Sequence, residues 1–147
     1  MIARLLPRTE SRYSGSSGSL GFLTLVTIVS TARSLVHLFA PDGGAHTIAG
    51  IPLDVAGGPN IVAIFGQWGA SQLVLACVQW VVVLRYRFLV PAMLAIVVLE
   101  QLLRILAGRL KPLVLDSPPP GAYGTYVILG LAMMFLALAL RQHPRSQ

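Results

Sequence analysis

Three ionisable side chains, Arg33, Glu100 and Arg104, lie inside apolar stretches of about 20 residues. An ionisable group at bilayer depth costs at least about 2.5 kcal/mol, so each one needs a partner or a purpose. Glu100 and Arg104 are four residues apart with the acid first, which is the favourable order for an ion pair on a helix. The spacing therefore predicts a buried ionic cluster that includes Arg33.

Uncharged polar and aromatic residues occur at similar predicted depths. We expect His37, Gln67 and Gln101 to extend the cluster. An aromatic rim at the membrane interface is predicted from Trp68, Tyr123 and Tyr126, with an aromatic wall for a ligand as the alternative.

His37 is the only histidine expected within an apolar stretch. A haem or metal site would need further ligands beside it. We therefore expect His37 to be a hydrogen-bonded or interfacial residue, and no metal or cofactor is predicted.

The ionic cluster has three possible roles. It could fix the packing of the helices, as buried ionic groups sometimes do. It could instead line a pocket open to the outer side that binds a polar or anionic headgroup, with apolar tails below. A proton or ion path is disfavoured, because no ionisable residue continues the series towards the inner side.

Composition indicates the environment of these residues. The chain has 147 residues, of which 55% are hydrophobic and 11% charged, whereas soluble domains are about 25% charged. Continuous apolar runs occur at about 20–40, 61–84, 88–108 and 122–140. Each is long enough to cross a hydrocarbon core of about 30 Å as a helix. The prediction is an all-α protein, an up-and-down transmembrane bundle of four helices.

The charge distribution predicts an orientation. Seven arginines flank the ends that a cytoplasmic N-terminus would leave inside: Arg4, Arg8, Arg12, Arg85, Arg87, Arg141 and Arg145. Only Arg109 and Lys111 flank the other side. Basic residues favour the cytoplasmic side, so both termini are expected there. Residues 1–19 are predicted to be a flexible cytoplasmic head and 142–147 a cytoplasmic tail. This topology places most intramembrane polar groups in the outer half of the bundle.

Other function classes are disfavoured. The basic residues are scattered between apolar runs, so nucleic-acid binding is not predicted. No Gly-x-Ser-x-Gly, His-Glu-x-x-His, phosphate-loop or paired-cysteine motif is present, so no catalytic residue is assigned.

The second stretch begins with small residues, and a tight basic turn follows at 85–87. The third stretch ends with the sequence Leu-Arg-Ile-Leu-Ala-Gly at 103–108, and a proline break then precedes a Leu/Ala-rich last stretch. Over about residues 20–141, this pattern resembles the small DoxX-like four-helix membrane proteins, many of which are uncharacterised. The resemblance implies a compact bundle in a bacterial inner membrane and supplies no catalytic residues.

We expect a small integral membrane protein that binds a lipid-like or other small amphiphile, or a partner subunit, through the polar cluster. An accessory subunit of a membrane redox or transport complex is the alternative, and a membrane enzyme acting on a lipid or quinone is third. The expected partners are the lipid bilayer, such an amphiphile, and a membrane protein or a second copy of the chain.

Overall fold

The computed structural model describes Leu6, residues 13–113, Leu115 and residues 120–141, except for the side chains of Pro120 and Ala122. These residues form four helices and no strand. The helices are α1 (Ser17–Phe39), α2 (Gly58–Leu84), α3 (Val90–Leu110) and α4 (Pro120–Leu140), with a 3-10 turn at Arg87–Leu89 before α3. All four are long and apolar enough to cross a membrane. The predicted all-α fold with four membrane-spanning helices is confirmed.

The helices begin and end within a few residues of the predicted spans. α1 begins at Ser17, three residues earlier than predicted, because the Ser16 side chain accepts a hydrogen bond from the Gly18 N–H and caps the helix. Ser19, predicted to belong to the flexible head, is fully buried, and its hydroxyl donates to the Phe135 carbonyl oxygen. α2 also begins three residues early, at Gly58.

The helices associate chiefly as two antiparallel pairs. α1 packs along α2 and α3 packs along α4, while α2 and α3 make far less contact despite the short turn that joins them. We call the end of the bundle where α1 begins and α4 ends the termini end, and the opposite end the loop end.

The buried apolar core lies in the half of the bundle nearer the termini end. Leu23, Leu94 and Val97 are completely buried there, and Phe22 stacks on Phe135 with ring centroids 4.7 Å apart. The half nearer the loop end holds the polar residues discussed below. Large apolar side chains are exposed on all four helices, as expected for surfaces that face lipid.

The segment between α1 and α2 forms a cap over the loop end. Asp42 organises it, because its carboxylate accepts backbone hydrogen bonds from Gly44 at 2.9 Å, Thr47 at 2.8 Å and His46 at 3.2 Å. Gly43 and Gly44 both have positive φ, a conformation that side chains disfavour. This turn sets the path of the chain directly above the end of α1.

Asp42 should make the stability of the cap depend on pH. The hydrogen bonds from Thr47 and Gly44 lower the pKa of Asp42 to about 2. Because the folded pKa is below the ordinary value of 3.8, the stabilisation is present above that value and is lost as the pH falls towards 2. We expect the protection factors of the amides of residues 43–48, which are corrected for the intrinsic pH dependence of exchange, to fall in the wild type as the pH is lowered towards 2. In Asp42→Asn these protection factors should already be low at neutral pH and should change little in acid. Unchanged exchange at both pH values would contradict this role.

Candidate binding site

A hydrogen-bond relay connects three helices in the loop half of the bundle. Arg104 on α3 donates from Nε at 3.1 Å and from Nη2 at 2.6 Å to Oε1 of Glu100. The same oxygen accepts a hydrogen bond from Nε2 of Gln72 on α2 at 3.1 Å. Oε1 of Gln72 in turn accepts a hydrogen bond from Nη2 of Arg33 on α1. Gln72 therefore links Arg33 to the Glu100–Arg104 ion pair through opposite ends of its amide.

The indole of Trp68 is the platform of this relay. The guanidinium carbons of Arg33 and Arg104 lie 5.1 and 5.2 Å from the centre of the Trp68 ring system, within cation–π distance. His37 stacks on the same indole with centroids 4.7 Å apart. We call Arg33, His37, Trp68, Gln72, Glu100 and Arg104 the Trp68 cluster.

The Trp68 cluster carries an excess of positive charge. Its two guanidinium groups face a single carboxylate, and Oε2 of Glu100 accepts no hydrogen bond within the described part of the chain. The side chains of Arg104 and Glu100 remain 22% and 23% exposed. The cluster is therefore accessible at its edge.

A close approach of two helices determines the register of the cluster. A Cβ atom on Gly69 would lie 2.7 Å from the Cβ of His37 and 3.0 Å from its backbone carbon, so only glycine fits between α1 and α2 here. The His37 ring, which is almost fully buried, donates from Nδ1 to the Gly43 carbonyl oxygen at 2.7 Å. His37 thus joins α1, α2 and the cap.

The structure brings together most of the predicted site residues. Arg33, His37, Glu100, Arg104 and Trp68 all belong to the cluster, although Trp68 lies inside it and not on a separate rim.

Four other predicted site residues lie outside the Trp68 cluster. The Gln67 side chain is exposed. Gln101 is buried, but its side chain makes no hydrogen bond within the described residues. Tyr123 and Tyr126 are 69% and 59% exposed on α4, and neither makes a ring contact with Trp68 in the part of the chain that is described.

Gln72 is one of three glutamines in the second apolar stretch, and the sequence prediction assigns Gln67 to the cluster instead of it. Distance from the helix ends does not predict this contact, because Gln72 lies 14 residues from the start of α2, whereas its partner Arg33 lies six residues from the end of α1. Gln72 follows Trp68 by four residues and hence lies on the same helix face. That spacing was the available signal.

A crevice too narrow to hold a water molecule adjoins the cluster, lined by Ser30, Gln72, Leu75, Ala76, Gln79 and Glu100. Gln79 is 1% exposed, and its Oε1 atom has no hydrogen-bond partner among the described residues. A buried acceptor without a partner destabilises a protein by about 1 to 3 kcal/mol.

Replacing Gln79 by methionine should therefore stabilise the protein. Methionine has a similar volume and removes the unpartnered oxygen, so we expect the free energy of unfolding to increase by about 1 kcal/mol. Unfolding of purified protein in detergent measures the change, with Gln67→Met at an exposed position as the control. A loss of stability for Gln79→Met would indicate that Oε1 is hydrogen-bonded in solution.

No group of three metal-ligating side chains is found within the described residues. Comparison with known proteins adds no assignment, since no family model, curated protein or solved structure matches the chain.

Proposed function

We propose that the protein binds the anionic headgroup of a membrane amphiphile at the Trp68 cluster. The observation that carries this proposal is the pair of guanidinium groups held over one indole, of which only that of Arg104 is paired with a carboxylate. Arginine guanidinium groups have a planar set of N–H donors that suits phosphate and carboxylate oxygens. The excess positive charge supplies the attraction.

An amphiphile suits the surroundings of the cluster better than a soluble anion. The cluster lies about 9 Å or more from the loop end, since Arg33 and Arg104 are each six residues from the end of their helix. Leu75 and Ala76 are apolar neighbours of the cluster, and the surrounding helix surfaces expose large apolar side chains along which a tail can lie. A ligand with an anionic head and an apolar tail matches both parts.

The proposal includes a location and an orientation. The arginine distribution supports both termini being cytoplasmic, and the sequence resemblance to DoxX-like proteins supports a bacterial inner membrane. The Trp68 cluster then receives its ligand from the outer leaflet. Two reporter enzymes fused after Arg145 test this orientation. Activity of a reporter that works only in the cytoplasm would support it, and activity of a reporter that works only outside the cytoplasm would overturn it.

A pair of detergents with the same tail tests the binding proposal. Dodecyl phosphate should raise the thermal unfolding temperature saturably, because a ligand that binds only the folded state stabilises it. Dodecylphosphocholine, whose headgroup is zwitterionic, should have a much smaller effect.

The charge variants identify the site. Arg104→Gln should abolish the response to dodecyl phosphate, whereas Arg109→Gln, at an exposed position on the same helix, should retain it. Equal responses to the two detergents, or an unchanged response in Arg104→Gln, would contradict the proposal. The cluster would then be a packing device or a contact for a partner subunit.

A further inference from the structure

We infer that the termini end of the bundle holds a second, separate site, which binds the phosphate headgroup of an anionic phospholipid. An open pocket of about 370 Å³ lies where the turn between α2 and α3 meets the start of α1. Its walls include Tyr13, Ser17, Leu20, Arg85, Arg87 and Phe88. This is room for a headgroup, unlike the crevice beside the Trp68 cluster.

Two arginines provide the charge of this pocket, and a carbonyl oxygen positions each of them. Nη2 of Arg85 donates to the Leu6 carbonyl oxygen at 2.7 Å, and Nε of Arg87 donates to the Val83 carbonyl oxygen at 3.0 Å. These bonds use one donor group of each guanidinium and neutralise no charge. The guanidinium groups make no other hydrogen bond among the described residues, and their remaining N–H groups suit phosphate oxygens, a preferred partner of arginine.

The described acidic residues do not compete for these arginines. Asp42 and Asp54 lie in the segment between α1 and α2 at the loop end, and Glu100 is paired with Arg104 in the Trp68 cluster. Within the described part of the chain, the pocket therefore has two cationic groups and no carboxylate. An anion is the complementary ligand.

The apolar walls favour a lipid over free phosphate. Leu20 is in the second turn of α1, and Phe88 lies in the 3-10 turn that leads into α3, so both mark the ends of membrane-spanning segments. Tyr13 packs against the apolar core, and its hydroxyl donates to the Ser16 carbonyl oxygen at 2.8 Å. A phospholipid headgroup can contact the arginines while its chains follow these apolar surfaces into the bilayer.

The two sites lie in opposite halves of the bundle and share no residue. The buried core of Leu23, Val90 and Leu94 lies in the half of the bundle nearer the termini end, which also holds the pocket. The Trp68 cluster lies in the other half. Basic groups near an anionic membrane surface contribute about 1 kcal/mol each. Removing both arginines should therefore weaken binding roughly 30-fold.

Native mass spectrometry of the full chain with phosphatidylglycerol tests the inference. Wild type should retain this lipid, and Arg85→Gln/Arg87→Gln should lose one bound molecule. Arg85→Lys/Arg87→Lys should retain most of the binding, as should the control Arg141→Gln, which is exposed at the end of α4. Thermal unfolding checks that each variant is folded.

Further measurements distinguish lipid binding in this pocket from binding at the Trp68 cluster and from binding of free phosphate. Arg104→Gln should leave this bound molecule in place, so failure of the Trp68 proposal would not remove it. Phosphatidylcholine should bind more weakly, and inorganic phosphate should not displace the lipid. Equal retention of phosphatidylglycerol by Arg85→Gln/Arg87→Gln and wild type would overturn the inference, as would equal binding of phosphatidylcholine or displacement by inorganic phosphate.

Discussion

Gly69→Ala should destabilise the protein by about 2 to 3 kcal/mol, the upper part of the range for substitutions that overpack an interior. The added Cβ would lie 2.7 Å from the Cβ of His37 and 3.0 Å from two backbone atoms, the His37 carbon and the Leu38 nitrogen. Backbone atoms cannot move aside as a flexible side chain can, so α1 and α2 must separate. Chemical unfolding of purified protein in detergent measures the loss.

Gly66→Ala is the matched control, because it makes the same change one turn earlier on α2. A Cβ at Gly66 would have its nearest neighbour at 3.8 Å, the His37 carbonyl oxygen, which is an ordinary contact. We expect this variant to be as stable as the wild type or slightly more stable, since alanine favours helix. Equal destabilisation by the two substitutions would contradict the close approach at Gly69.

Glu100→Ala should destabilise the protein at least as much as Gly69→Ala. In Glu100→Ala, Arg33 and Arg104 would both remain over the Trp68 indole without a counter-charge. Breaking a buried ion pair by removing one partner costs about 3 to 5 kcal/mol. Because the side chains of Glu100 and Arg104 are 23% and 22% exposed, we expect a loss of stability at the lower end of this range, about 3 kcal/mol. Unfolding in detergent again provides the measurement.

A double-mutant cycle separates the ion pair from the rest of the change. Glu100→Gln, Arg104→Met and the double variant should show non-additive losses, because the two side chains share two hydrogen bonds. The double variant should be more stable than the sum of the single losses implies. Additive losses would mean that the ion pair is not formed in the detergent-solubilised protein.

The positions of the helices and the ion pair could be predicted from local sequence features. Apolar runs of about 20 residues indicate membrane-spanning helices, and Glu100 and Arg104 have the spacing of a helical ion pair. Both features depend only on residues that are close in the chain. The structure agrees with both.

The partners across helices could not be predicted, because they depend on the register between helices. That register is determined by the contact of Gly69 with His37, which pairs Arg33 with Gln72 and not with Glu100 directly. A shift of α2 by one turn would have placed Trp68 or Ala76, instead of Gln72, opposite Arg33. The exposure of Tyr123 and Tyr126 also depends on how α4 packs, which the sequence of α4 alone does not determine.

The fluorescence of Trp68 provides the most direct test of anion binding at the Trp68 cluster. The chain has two tryptophans, so Trp80→Phe leaves Trp68 as the sole emitter, at the loss of a hydrogen bond from the Trp80 indole to the Thr31 hydroxyl. In this background, dodecyl phosphate should produce a saturable change in emission, and dodecylphosphocholine should not. Adding Arg33→Gln should abolish the change. An identical response to both detergents, or a response that persists without Arg33, would contradict binding at this cluster.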